Sequence, residues 1–222
     1  TTLYLNDYFF FLLMLTESGL TLIAGTMFSG KSTELLRRIK RLEASDYNIQ
    51  LFKSKIDDRY ESNHIVSHDG FKEEATYVMS VDEMIANLKE DTNVIGIDEV
   101  QFLESEVVQF CDQQAKDKIV LAAGLIKNFQ DNYFQFKDEK LDMSELLRIA
   151  DHLVYLNAVC TYKENGHRCR KEANRVQRFV DGEIAPFDDG SVKVGGKEAY
   201  QPRCRSHFVQ YQDVLNRLES RL

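Results

Sequence analysis

Two patterns of apolar residues alternate along the chain. Predominantly apolar runs predict buried strands at residues 20–24, 48–52, 94–97, 119–125 and 152–156. Apolar residues at helical spacing predict helices at residues 34–42, 81–88 and 106–111, with Ser80 as a candidate N-cap. Because strands and helices alternate, the pattern predicts an α/β fold with a parallel sheet.

The junction between the first strand and the first helix has the spacing G-x-x-x-x-G-K-[ST]. Its residues are Gly25, Thr26, Met27, Phe28, Ser29, Gly30, Lys31 and Ser32. This spacing between a strand and a helix is typical of a loop that binds phosphate through backbone N–H groups and the helix N-terminus. We therefore expect Lys31 to reach the terminal phosphates of ATP and Ser32 to be a ligand of Mg²⁺.

Two carboxylates, Asp98 and Glu99, follow the apolar run at residues 94–97. An acidic residue at the end of such a strand faces the metal in phosphate-loop enzymes, which predicts that role for Asp98. Adjacent residues on a strand point to opposite faces, so Glu99 has a different role if the strand continues, and it is then a candidate base. The polar loop at residues 53–60 leaves the same edge of the predicted sheet, where ligands bind.

Aromatic residues are concentrated in a segment with few helix signals, at Phe129, Tyr133, Phe134 and Phe136. Aromatic side chains in a loop commonly cover a core. Beside the carboxyl edge of a sheet, they could equally form the wall of a pocket for a flat base. The sequence leaves both alternatives open.

Composition and net charge limit the possible architectures and the possible binding partners. The 222 residues, of which 43% are apolar, fit one medium domain with an appendage or two small domains. The net charge of −8 argues against binding of nucleic acid through its backbone, but it does not argue against ATP, which needs only a local nest of donors. We expect no nucleic-acid partner.

The first 19 residues are interpreted as a leader ahead of the fold. Their apolar run at residues 8–15 is too short to span a bilayer, and it lacks the basic start and the cleavage site of a signal peptide. The leader is either a non-native extension or an arm that packs on a neighbouring subunit. We expect no membrane partner.

Residues 157–207 differ in character from the rest of the chain. Lys and Arg outnumber Asp and Glu here, and glycines are frequent, which suits short strands without a large core. Three cysteines and a histidine of this segment predict a structural zinc site formed by Cys160, Cys169, Cys204 and His207. The alternative histidine ligand is His167. Residues 208–222 are predicted to be a C-terminal helix or tail, with a short amphipathic helix from residue 209.

The remaining cysteine, Cys111, falls in the helical pattern at residues 106–111 and is expected to be a small buried hydrophobe. Cysteines in a metal pattern, together with a loop for ATP, are typical of a reducing compartment. We therefore expect a cytoplasmic protein.

Together, five motifs in this order resemble the type II thymidine kinases. The matching segments are residues 25–32, 57–60, 97–102, 156–160 and 195–205. The resemblance spans about residues 20–207. It implies transfer of the γ-phosphate of ATP to the 5′-hydroxyl of thymidine, a RecA-like phosphate-loop domain at residues 20–156 and a zinc-binding lasso segment at residues 157–207. It also implies a homotetramer and feedback inhibition by dTTP.

The resemblance also implies roles for individual residues. Glu99 would be the general base, while Asp57, Arg59 and Asp98 would join the phosphate loop in binding ATP and its metal. The thymine pocket would be lined by Met27, Phe102, Leu125, Phe129, Phe134, Arg178, Val192, Val194 and Tyr200. Backbone groups at residues 192–194 would face the edge of the base, because a main-chain donor and acceptor suit thymine.

The chain departs from the family's pattern at the predicted pocket. The family usually has Asp after Gly-Leu, where this chain has Ile126 and Lys127, and Pro-Phe-Gly where this chain has Tyr-Phe-Gln at residues 133–135. Val176 stands where a hydroxyl side chain is common. We expect these differences to alter the pocket and to leave the catalytic residues intact.

Two other classes of protein share some of these motifs. One is a phosphate-loop ATPase with a zinc ribbon that binds nucleic acid, but such a protein should carry a basic stripe. The other is a non-catalytic nucleotide sensor stabilised by zinc. Phosphorylation of a deoxynucleoside distinguishes a kinase from both.

Overall fold

The computed structural model describes residues 18–55, 64–66, 72–186, 196 and 198–209. Six parallel strands of this part of the chain form one sheet. In spatial order they are β5 (Thr76–Val78), β2 (Ile49–Ser54), β6 (Val94–Asp98), β7 (Ile119–Leu125), β1 (Gly19–Gly25) and β8 (His152–Leu156). The α/β fold class predicted from the sequence is therefore confirmed.

Helices connect the strands of this sheet. They are α1 (Lys31–Glu43), α2 (Val81–Asn87), α3 (Glu106–Gln114) and α4 (Ser144–Ile149), with a 3-10 turn at Val100–Phe102. The predicted N-cap is confirmed, because Ser80 Oγ accepts a hydrogen bond from the N–H of Glu83 at 3.2 Å. Strand β2 continues to Ser54, past the predicted start of the polar loop at Lys53.

Helices cover both faces of the sheet, which explains why its strands are predominantly apolar. On β1, Leu22 packs in the same core as Val107 of α3, whereas the next residue, Ile23, packs with Leu36 of α1. All four side chains are buried. Successive strand residues thus enter two separate cores, and the sheet is fixed between them.

The described residues between 157 and 207 form short antiparallel strands, as the composition of this segment predicted. They are β9 (Ala158–Val159), β10 (Lys163–Glu164), β11 (His167–Arg168), β12 (Glu172–Ala173), β13 (Arg175–Val180), β14 (Glu183–Ile184) and β15 (Tyr200–Arg203). Two more short strands, β3 (His64–Val66) and β4 (Lys72–Glu74), pair with each other earlier in the chain. A small cluster containing Ala158, Ala173 and two cysteines is buried in this segment.

Several predictions concern residues outside the described part of the chain. These are most of the leader, Asp57 and Arg59, Val192 and Val194, and all but the first two residues of the predicted C-terminal helix. Gly19 already belongs to β1, so the leader cannot extend to residue 19 as predicted. Within the described residues, no helix combines the length and the apolar character needed to span a bilayer.

Candidate active site and metal centre

The phosphate loop has the predicted strand–loop–helix context. It begins where β1 ends at Gly25 and finishes where α1 begins at Lys31. Gly30, at the N-cap of α1, has a φ of 86°, a left-handed conformation that costs glycine little and other residues more. Lys31 Nζ and Ser29 Oγ both donate to the carbonyl oxygen of Thr26, at 2.9 and 2.8 Å. These bonds hold the loop in a closed turn.

Asp98 lies at the carboxyl end of β6, beside the phosphate loop. Ser32 Oγ donates to its carboxylate oxygens at 3.0 and 3.1 Å, so the two side chains predicted to bind Mg²⁺ are in contact. Burial raises the pKa of Asp98 to about 7, and the charge of Glu99 acts in the same direction. Hydroxyl and carboxylate oxygens are the ligands that Mg²⁺ prefers, so this pair fits the ion.

Two lysines lie close to these carboxylates. Burial lowers the pKa of Lys31, while the charges of Glu99 and Asp98 oppose that change. Lys53 is next to Asp98 in the pairing of β2 with β6, and its Nζ lies 6.0 Å from the ring centroid of Tyr77. Lys53 was not identified as a site residue from the sequence. Its position directly after the apolar run at residues 48–52 is the sequence feature that could have identified it.

Glu99 does not continue the strand. It has a φ of 54°, which is left-handed, and it leads into the 3-10 turn. The argument from strand alternation therefore does not apply, because β6 ends at Asp98. The two carboxylates nevertheless have different partners: Asp98 accepts from Ser32, and Glu99 Oε2 accepts from Gln101 Nε2 at 2.6 Å.

Four residues predicted for the thymine pocket belong to or pack against one core, and one of them lies in the phosphate loop. Met27 of the loop packs against the same core as Phe102, Leu125 and Phe134. The rings of Phe102 and Phe134 make an edge-to-face contact with centroids 5.7 Å apart. An apolar, aromatic surface thus adjoins the loop that is expected to bind phosphate.

Three more of the predicted pocket residues lie in or beside a second cluster. The side chain of Met27 also packs against this cluster, which contains Phe129 and Tyr200. The guanidinium carbon of Arg178 lies 5.1 Å from the ring centroid of Phe129. Arg178 is only 1% exposed, so its stem and charge are enclosed in this region.

The aromatic loop, at residues 129–136, contributes to two clusters of buried side chains. Phe134 and Phe136 are buried in the core against the sheet, while Phe129 belongs to the cluster with Tyr200. Tyr133 is 44% exposed, so it is not a wall of this region. The loop therefore contributes to the core and to the cluster of Phe129 and Tyr200, two of the residues predicted for the pocket.

The residues that depart from the family's pattern are accommodated locally. Ile126 is buried in the main core, and Val176 packs with the cluster around Phe129. Lys127 Nζ donates to Asp131 Oδ1 at 2.8 Å, and Arg175 Nε of β13 donates to Asp131 Oδ2 at 3.1 Å. The positive charge of Lys127 is therefore paired. Through Asp131, the aromatic loop is also linked to Arg175 of the lasso segment.

The four predicted metal ligands lie in one group. Their ligand atoms are all within 4.8 Å of one another. Sγ of Cys169 is 3.8 Å from Sγ of Cys204, and Nδ1 of His207 is 3.4 Å from Sγ of Cys204 and 3.7 Å from Sγ of Cys160. A tetrahedral ion at ~2.3 Å from each sulfur places neighbouring sulfurs ~3.8 Å apart. The arrangement fits zinc.

Local structure explains which histidine joins the cysteines. His207 follows Cys204 by one 3-10 turn, and its ring stacks on Tyr162 with centroids 4.1 Å apart. His167, the alternative ligand, is exposed on β11 and does not belong to the group. All four cysteines of the chain are free thiols, and burial raises the pKa of Cys111 to about 12.

Two comparisons with known proteins identify the family of this chain. A family model described as thymidine kinase matches residues 18–208. A thymidine kinase of Thermococcus kodakarensis is 40% identical over 196 residues, which cover 86% of this chain and 93% of that relative. The match extends over the sheet and over the lasso segment. The chain belongs to the thymidine kinase family.

Proposed function

We propose that this kinase, which phosphorylates thymidine, transfers the γ-phosphate of ATP to the 5′-hydroxyl with Glu99 as general base. The observation that carries the proposal is the meeting of three groups at one edge of the sheet. These groups are the Lys31 ammonium, the Ser32–Asp98 pair and the Glu99 carboxylate. The apolar surface around Met27 adjoins them.

Each of these side chains has a task in the transfer. Glu99 takes the proton of the 5′-hydroxyl as its oxygen bonds to the γ-phosphorus and the bond to ADP breaks. Lys31 and the backbone N–H groups of the loop stabilise charge on the transferring group. Mg²⁺ held by Ser32 and Asp98 would supply further positive charge to the phosphates. Asp57 and Arg59 complete the proposed set of residues that bind ATP.

Recognition of the nucleoside is assigned to the surface that contains Met27. Aromatic and apolar side chains cover the faces of thymine, and the backbone at residues 192–194 pairs with its edge. Because Met27 belongs to the phosphate loop, a ligand with thymine and a triphosphate spans both regions. This proximity supports the proposed inhibition by dTTP.

The metal group is assigned a structural task. Three thiolates and one imidazole would surround zinc on all sides and leave no position for substrate. The segment holding them has a small apolar cluster, so metal binding would contribute much of its stability. Cys204 directly follows β15, which contains Tyr200 of the proposed pocket. Zinc would therefore act through the position of the lasso segment.

Cys204→Ser is expected to lose zinc and to raise KM for thymidine more than KM for ATP. Without zinc, β15 is displaced and Tyr200 no longer contacts the nucleoside. If that contact contributes about 1.4 kcal/mol to binding, KM for thymidine rises about tenfold. The sheet should stay folded, because its two cores do not include the metal group. Elemental analysis, the two KM values and far-UV circular dichroism measure these effects.

Cys111→Ser is the matched control, since it makes the same exchange at a buried thiol of α3 outside the metal group. It should keep zinc and both KM values. The ligand assignment is wrong if Cys169→Ser keeps its full zinc content while His167→Ala loses it.

Ser32→Ala is expected to raise the Mg²⁺ concentration needed for half-maximal activity. The substitution removes one proposed oxygen ligand while leaving Asp98 in place. A titration of activity with Mg²⁺ at fixed ATP measures the shift. Thr33→Ala, at the next position of α1, is a control that should leave the titration unchanged. An unchanged Mg²⁺ titration for Ser32→Ala would remove that side chain from the metal site.

We also propose a homotetramer and a cytoplasmic location. The support for assembly is β8, which forms an edge of the sheet and exposes Leu153 and Tyr155. An apolar edge strand of this kind is suited to pairing with another chain. The support for location is the use of the cysteines: three belong to the metal group and Cys111 is buried in α3, and a reducing compartment keeps cysteines available in this form.

The direct test is an assay of purified protein with Mg-ATP and each deoxynucleoside. We expect thymidine to be converted to dTMP with release of one ADP. A DNA-stimulated ATPase assay runs in parallel, to test for the nucleic-acid-binding ATPase. ATP hydrolysis that responds to DNA, with no monophosphate formed from thymidine, would overturn the proposed function.

A further inference from the structure

The side chain of Gln101 is completely buried in the 3-10 turn that follows Glu99. Its amide makes two hydrogen bonds to different parts of the site. Nε2 donates to Glu99 Oε2 at 2.6 Å, and Oε1 accepts from the backbone N–H of Leu125 at 3.0 Å. One side chain thus joins the proposed base to the end of β7.

The chemistry of the partners fixes the orientation of this amide. A backbone N–H is only a donor, so the group facing Leu125 must be the oxygen of Gln101. The NH₂ group then faces Glu99, and an ionised carboxylate is only an acceptor. Both bonds are satisfied in this orientation and neither is satisfied in the flipped one.

Gly124 provides the space for this contact. A Cβ at this position would lie 2.6 Å from Gln101 Oε1 and 2.8 Å from Val100 Cγ1. Both distances are shorter than a carbon atom tolerates without movement of its neighbours. The glycine before Leu125 therefore lets the turn approach β7 closely enough for the hydrogen bond.

We propose that Gln101 is a positioning residue that holds the Glu99 carboxylate in place for proton transfer. This inference rests on the proposed function of Glu99 as base. Gln101 engages one carboxylate oxygen, and no other described residue donates to Glu99, so Oε1 is left to accept the proton of the 5′-hydroxyl. Because Leu125 also lines the proposed pocket, the same amide sets the distance between base and nucleoside.

The backbone at Glu99 explains why such support is needed. A residue other than glycine at a φ of 54° is in a conformation that costs on the order of 1 kcal/mol and persists only where its surroundings impose it. A carboxylate on this short turn has rotamer freedom of its own. The hydrogen bond from Gln101 restricts both the turn and the side chain, and proton transfer depends on that alignment.

The first test compares two substitutions of a buried glutamine by methionine, which has a similar shape and no amide. Gln101→Met is expected to lower kcat about 10- to 100-fold with little change in either KM. Gln50→Met is the matched control, because Gln50 is also buried and bridges Asn87, Lys89 and Thr92 at the far end of β2. It should lower the melting temperature by a similar amount and leave kcat unchanged.

The second test separates positioning from a general structural effect. In a Glu99→Gln background, adding Gln101→Met should produce no further loss of kcat, because there is no carboxylate left to position. If Gln101→Met does not fold, Gln101→Asn carries the same comparison. Its amide is one methylene shorter, so it cannot reach both Glu99 and the N–H of Leu125.

The outcomes distinguish the two proposals. Near-normal kcat for Glu99→Gln would overturn the proposed base and, with it, the role of Gln101. A large loss for Glu99→Gln together with near-normal kcat for Gln101→Met would overturn the inference about Gln101 alone. Losses that multiply in the double variant would also overturn it, since they would show an effect independent of Glu99.

Discussion

Glu99→Gln is expected to lower kcat about 10²- to 10⁴-fold while ATP and thymidine bind as before. The amide cannot accept the proton of the 5′-hydroxyl. It can still offer its oxygen to Gln101 Nε2, which keeps the turn at Val100–Phe102 in place. Steady-state kinetics with calorimetric binding of both substrates measures the separation of turnover from affinity.

Glu106→Gln is a suitable control for this substitution. Glu106 lies at the start of α3, and its side chain is 56% exposed. Its Oε1 lies 3.5 Å from Lys140 Nζ in an exposed ion pair. The control should have normal kinetics. A kcat close to normal in Glu99→Gln would remove Glu99 from the mechanism.

Lys31→Ala is expected to lower kcat/KM for ATP about 10²- to 10³-fold, with a small effect on folding stability. The ammonium group is positioned to act on charge that develops during transfer. Its burial lowers the pKa of Lys31, so the charged form is already disfavoured in the fold, and removing the side chain also removes that cost. The bond to Thr26 O is the contact that the fold loses. Kinetics and thermal unfolding measure the two effects separately.

Lys40→Ala, on the exposed face of the same helix, controls for loss of a lysine from α1. Its kcat/KM should be normal. An unfolded Lys31→Ala protein would instead identify the loop as structural, and it would weaken the case for phosphate transfer at this site.

Four strands of the central sheet, β1, β2, β6 and β7, were predictable because their side chains are buried on both faces. The bounds of β7 and β8 follow directly from apolar runs, and β1 differs from its run by one residue at each end. The short helix α4 was not predicted, since six residues give little periodicity. The short strands β9 to β12 were also beyond prediction, because two residues cannot show an alternating pattern.

The candidate site was predicted where chemistry depends on spacing along the chain. The phosphate loop and the pair Asp98–Ser32 follow from motifs whose context is local, and the metal group follows from residue type. Gln101 was missed because its task depends on β7, which is distant in sequence. The burial of Arg178 over Phe129 was also missed, because an arginine on a strand usually faces solvent.

The side chain of Phe28, in the phosphate loop, packs against two other parts of the molecule. The backbone of Phe28 is left-handed with a φ of 63°, and its ring packs both against the cluster around Cys160 and Cys204 and against the cluster around Tyr200. One ring is thus a common wall of the metal group, the proposed nucleoside pocket and the loop for ATP. Linkage is reciprocal, so any cooperativity that this ring transmits from nucleoside to ATP is transmitted equally from ATP to nucleoside.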